Sequence, residues 1–150
     1  MKVAIGCDHG GINLKPALKE YLKENNIEFI DFGCYDATSC DYNDYAEKVC
    51  ESVVKGECER GILICGTGIG MSIVANKIKG IRCAHCQDVF SAKATREHND
   101  ANVIAFGERV IGVGLMLEIV KAFLNTEFSF GERHIKRVEK IKQLENKNFK

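Results

Sequence analysis

The chain of 150 residues has no net charge, a single proline and no long hydrophobic run. Each shortage excludes something. With 21 Lys+Arg against 21 Asp+Glu it lacks the basic excess of a broad nucleic-acid binder or of a protein held on acidic membranes, so neither partner is expected. The longest uncharged apolar stretch, residues 110–117, is far too short to span a bilayer. The opening MKVAIGCDHG breaks a short apolar run with an acid, so no signal peptide is expected. Eight cysteines are too dilute for a disulfide scaffold, where cysteine exceeds roughly 8–10% of a short chain. Reduced thiols and a cytoplasmic location follow as expectations. A hydrophobic content of 45% with 28% charged residues describes an ordinary globular protein and excludes disorder. One domain, residues 1–150, is the natural count at this length.

Short β-rich runs alternate with longer amphipathic segments. Strands are expected over residues 2–6 (KVAIG), 28–32, 61–65 (GILIC), 81–85 and 102–106 (NVIAF). Helices are expected over 13–25, 44–55, 70–78, 88–97 and 114–124, with a last helix over about 132–145. Leu14, Leu18 and Leu22 share one face of the first helix, and Pro16 fits its first turn, where a missing N–H costs nothing. Five β–α units in sequence predict a three-layer, doubly wound α/β domain of the Rossmann/flavodoxin-like class. The expected parallel sheet has the order 2-1-3-4-5, with an extra C-terminal helix. Residues 131–150 carry seven Lys+Arg and three Asp+Glu, so that last helix is basic. A solvated face is the plain reading of such a helix.

In an open α/β sheet ligands bind beyond the carboxyl ends of the strands, where strand order reverses. That point lies between strands 1 and 3, and the loops following them are the most unusual in the chain: Gly6-Cys7-Asp8-His9-Gly10-Gly11 and Cys65-Gly66-Thr67-Gly68-Ile69-Gly70. Alternating glycines let backbone N–H groups approach an anion, although a tight strand-to-helix turn needs glycine for sterics alone. A cysteine at the strand tip favours chemistry, because a thiol beside a helix N-terminus ionises readily and can act as base or nucleophile. The first loop lacks the G-x-G-x-x-G spacing of a dinucleotide site, and no Gly-Lys-Ser/Thr follows the second loop as a P-loop requires. Cys83-Ala-His-Cys86 admits a zinc half-site or a redox pair, but it lacks a second close pair and lies on strand 4, so buried structural thiols fit better. His98-Asn99 precedes strand 5, the wrong end for its own switch point. It is either a helix C-terminus or a contribution to a neighbouring subunit's site. Arg133 and Arg137 lie one turn apart on a shared face, which suits a phosphate between them or two solvated side chains.

These segments together resemble the sugar-phosphate isomerase family of ribose-5-phosphate isomerase B, which includes galactose-6-phosphate and allose-6-phosphate isomerases. The anchors are GCDHGG at residues 6–11, DY at 41–42, ILICGTGIGMSIVANK at 62–77, GIR at 80–82, EHNDANVIAFGERV at 97–110 and RHIKRV at 133–138. The resemblance implies an aldose–ketose isomerase of the pentose phosphate pathway, without metal or organic cofactor. Its substrates would be ribose 5-phosphate and ribulose 5-phosphate, with a six-carbon sugar phosphate as the alternative. It implies Cys65 as the base at C2, Gly66, Gly68, Ile69 and Gly70 around the enediolate oxygens, and Thr67 moving protons between O1 and O2. It further implies His98 as the ring opener with Asp8 assisting, and Tyr42 and Asn99 as substrate contacts. His9, Arg109, Arg133 and Arg137 fall at the phosphate end. The family's site lies between two subunits of a homodimer, which can pair into a tetramer. One departure is Phe130-Gly131-Glu132, where a second glycine is expected and Glu132 sets a negative charge beside the arginines. From other classes, a non-catalytic phosphate-binding module predicts no role for Cys65, and a thiol redox protein predicts a role for Cys83 and Cys86 instead.

Overall fold

The computed structural model describes residues 1–149; Lys150, counted in the basic tail and in the expected domain, lies outside them. Three strands have continuous apolar runs and are buried on both faces: β1 (Lys2–Cys7), β3 (Arg60–Cys65) and β5 (Val103–Gly107). Two shorter, partly exposed strands flank them, β2 (Glu28–Asp31) and β4 (Cys83–His85). All pairings are parallel. The helices are α1 (Lys15–Glu24), α2 (Tyr42–Val54), α3 (Ile69–Ala75), α4 (Val89–Asn99), α5 (Val113–Asn125) and α6 (Glu132–Asn148).

Strand pleating divides the core in two. Val3, Ile5, Ile62, Ile64, Ile104 and Phe106 face a layer that includes Leu18 and Leu22 of α1 and Ile119 and Phe123 of α5. Ala4, Leu63, Cys65, Val103 and Ala105 face Val49 and Cys50 of α2 and Met71 and Ala75 of α3. Helices therefore cover both faces of the sheet, as the alternating pattern predicts.

The strand order is β2-β1-β3-β5-β4, so the last two strands exchange places relative to the expected 2-1-3-4-5. The reason lies in their composition. All five residues of β5 are buried, whereas the three of β4 are half-buried or exposed and end in a histidine. The apolar strand takes the interior position beside β3, and the short polar one takes the edge. The switch point between β1 and β3 is unaffected. The helix after β3 is shorter than expected, ending at Ala75, and α2 begins two residues early, at Tyr42.

Candidate active site

Two groups of the expected residues form, at opposite ends of the sheet. The first gathers at the carboxyl ends of β1, β3 and β5. Asp8 is buried and accepts a hydrogen bond from Gly10 N at 2.8 Å, closing a single 3-10 turn over residues 9–11. That turn passes so close to the loop after β3 that a Cβ at Gly10 would stand 3.0 Å from Gly66 N. His9 Nδ1 accepts the backbone N–H of Cys40 at 3.3 Å, which leaves Nε2 to carry the ring proton in the neutral imidazole.

Cys65 ends β3 with its side chain largely buried, and its Sγ accepts the N–H of Gly68 at 3.0 Å. Gly68 has φ +80°, a conformation that favours glycine, and a Cβ there would come within 2.7 Å of the Phe106 backbone. Gly107 is the floor on which this loop rests, since a Cβ at that position would stand 2.5 Å from the Thr67 backbone. Thr67 Oγ1 accepts Ile69 N at 3.3 Å. Tyr42 lies against Gly70 at one flank, and the Arg109 guanidinium lies over Gly66 at the other. The N–H groups of the first turn of α3 have no intrahelical partners, so the loop has donors to offer an oxyanion. Asp8, His9, Tyr42, Cys65, Arg109 and residues 66–70 are thus brought together in one chain.

His98, Asn99, Arg133 and Arg137 are not part of that group. The end of α4 precedes β5 and sits at the amino ends of the strands. There the His98 ring stacks on His134, with centroids 4.5 Å apart and planes 7° from parallel. Arg133 Nε donates to His134 Nε2 at 3.2 Å. Burial, reinforced by His98, Arg133 and Arg137, pushes the His134 imidazole below its ordinary value. With Nε2 accepting, the proton of neutral His134 belongs on Nδ1, which is buried and has no partner among the described residues. Asn99 ends α4, and its carbonyl accepts from Arg82 Nε at 3.2 Å.

Sequence alone singles out neither of two further histidines. His134 stands inside the arginine motif, against His98 and Arg133. His85 ends β4 at the same end of the sheet as Cys65, and its Nε2 lies 2.8 Å from the Thr67 carbonyl oxygen. The available signal was its place at a strand's carboxyl end. The cysteines around it fit neither a zinc site nor a redox pair: Cys83 packs into the α2–α3 side of the sheet and Cys86 into the α1–α5 side. Among the described residues no three His, Cys, Asp or Glu side chains are grouped to hold a metal.

The comparisons with known proteins agree with this architecture. The family described as Ribose/Galactose Isomerase matches residues 3–141. A Bacillus subtilis protein whose name goes no further than sugar phosphate isomerase is 61% identical over 150 residues, covering 99% of this chain and 100% of that one. The structure of Clostridium thermocellum ribose-5-phosphate isomerase B is 53% identical, with a TM-score of 0.95 over 98% of this chain and 99% of that one. Mycoplasma genitalium ribose-5-phosphate isomerase B, solved with bound ribulose 5-phosphate, is 36% identical, with a TM-score of 0.93 over 98% of this chain and 97% of that one. On sequence, fold and near-complete coverage alike, the chain belongs to the ribose/galactose isomerase family.

Proposed function

We propose that the chain interconverts D-ribose 5-phosphate and D-ribulose 5-phosphate, with Cys65 as the base. The observation that carries this reading is the Cys65 thiol at the switch point, hydrogen-bonded to Gly68 N at 3.0 Å inside a loop of backbone donors. The Cys65 thiolate takes the C2 proton of the open-chain aldose while the electron pair moves through C1 onto O1. The resulting enediolate is stabilised by preorganised loop N–H groups, the loss of one of which typically costs about 10²–10³ in rate. Thr67 carries the proton between O1 and O2, and Cys65 returns its proton to C1. No metal or organic cofactor enters this sequence of steps.

His9 and Arg109 lie in the same group as Cys65, and Asp8 and Tyr42 flank the sugar. His98, which opens the furanose ring, and Asn99, Arg133 and Arg137 come from a second copy of the chain in a homodimer with shared sites, which can pair into a tetramer. Arg133 and Arg137 hold the non-reacting phosphate, and that remote binding energy orients the reacting carbons. A cytoplasmic location fits eight free thiols and the absence, among the described residues, of any helix long and apolar enough to cross a membrane.

Because the family description names both ribose and galactose, the test is a panel of five- and six-carbon aldose phosphates compared by kcat/KM. Ribose 5-phosphate is expected to lead; a six-carbon phosphate in first place overturns the substrate assignment. In parallel, Cys65→Ala is expected to stop exchange of the C2 proton with solvent while substrate still binds. Near-wild-type exchange in that variant removes Cys65 as the base.

A further inference from the structure

We propose that His85 is a positioning residue for Cys65, acting through the Thr67–Gly68 peptide group. This deepens the function proposed above and rests on Cys65 being the base. His85 Nε2 lies 2.8 Å from the Thr67 carbonyl oxygen. A carbonyl can only accept, so Nε2 carries the proton and donates it. Gln87 Nε2 stands 3.2 Å from the same nitrogen; two donors cannot face each other, so the amide is assigned the other way round, with its oxygen toward the ring. The other end of that same peptide is the Gly68 N–H, which donates to Cys65 Sγ at 3.0 Å. One planar, conjugated unit is therefore held at both ends, by an imidazole on its oxygen and a sulfur on its hydrogen.

Such a chain is cooperative. Donation to the carbonyl oxygen draws electron density from the peptide nitrogen and makes its N–H a better donor, by about 10–30% per bond. The beneficiary is the thiolate form of Cys65, which is the form that takes the proton. The geometry leaves little freedom to substitute another contact. At Gly68 a Cβ would meet the Phe106 backbone at 2.7 Å and His85 Cδ2 at 2.9 Å, so strand, loop and ring are in mutual contact. His85 is exposed, and a need to fill the core does not explain it. The exchange of β4 and β5 makes the arrangement possible: the loop from β3 crosses the side-chain-free Gly107 of β5 and reaches the histidine at the end of β4.

The role predicts a specific kinetic signature. In this role His85 acts through the loop and not on the sugar, so its loss falls on the proton-transfer step and leaves binding alone. His85→Ala is expected to lower kcat for ribose 5-phosphate by about two- to fourfold, the scale of weakening one charge-assisted hydrogen bond by that fraction, with KM unchanged. Gln places an amide N–H near the position of Nε2, so His85→Gln is expected to recover most of that loss. An unchanged kcat in His85→Ala, a loss carried in KM, or equal losses in the Ala and Gln variants each overturn the proposal. Cys65→Ala is assayed beside them. If it is inactive and His85→Ala is wild-type, only the relay through the peptide falls; if it is active, the base assignment falls, and the relay with it.

Discussion

Burial pushes the Cys50 and Cys86 thiols up to about 12 and the Cys7 thiol up to about 11. Cys83 is driven well up by the same cause. A thiol at about 12 is ionised to roughly one part in ten thousand at pH 8, whereas an ordinary one is substantially ionised there. Inaccessibility adds to this protection for Cys7, Cys50 and Cys86, which are buried, while the half-buried Cys83 relies on its raised ionisation. Native protein treated briefly with iodoacetamide at pH 8 is therefore expected to leave Cys7, Cys50, Cys83 and Cys86 unmodified in a peptide map, while the urea-unfolded chain reacts at all eight. Early alkylation of Cys7, Cys50 or Cys86 in the native state contradicts their burial, and that of Cys83 contradicts its raised ionisation. The direction with pH is fixed too. The unfolded thiols ionise first as pH rises above their ordinary range, so the stability that their burial confers is present below that range and declines toward pH 11–12. Cys40 is different: it is half-buried, its thiol is raised mainly by desolvation, and its backbone N–H holds His9.

Glycines show how loops and helices here impose separate demands. Gly107→Ala would drive a methyl into the Thr67 backbone 2.5 Å away and displace the loop that holds Cys65. Activity is expected to fall about 10²-fold or more, since ångström-scale displacement of reacting groups costs that much. Gly114, in the first turn of α5, has nothing within 4 Å of its missing Cβ. Gly114→Ala is expected to raise stability by about 0.5–1 kcal/mol, read as a higher urea midpoint with unchanged kcat. An active Gly107→Ala, or a destabilised Gly114→Ala, removes this distinction. At this scale much was legible beforehand: five strands, six helices and the two switch-point loops follow from periodicity and glycine placement. The order of β4 and β5 does not, because periodicity assigns an element's type while its neighbours depend on competition for the interior. The all-apolar VIAFG wins that competition over CAH. His85 is illegible in the sequence for a related reason. Between two cysteines it suggests metal or redox chemistry, and only the edge position of β4 brings it to the Thr67 carbonyl.

Across the whole molecule, the chain separates what the proposed reaction must bring together. Cys65 and its donors stand at the carboxyl ends of the strands, and His98 with Arg133, His134 and Arg137 stands at the amino ends. A net charge of zero hides this division, because the last twenty residues are basic and the rest are acidic in compensation. The sequence already placed His98 at the far end of the sheet, since the end of a helix that precedes a parallel strand must lie at that strand's amino end. No single chain could reveal what faces it. If two copies close the gap symmetrically, each site takes Cys65 from one subunit and His98 from the other. Cys65→Ala and His98→Ala homodimers are then both inactive. A mixed dimer keeps one site with both residues intact and one with neither. Equal amounts of the two variants, unfolded together and refolded, are expected to recover about a quarter of the wild-type activity, because half the dimers are mixed and each carries one working site of two. Native mass spectrometry counts the mixed dimers. Mixed dimers present in that proportion without activity would show that His98 does not serve the partner's Cys65, and the phosphate role of Arg133 and Arg137 would lose its geometry with it.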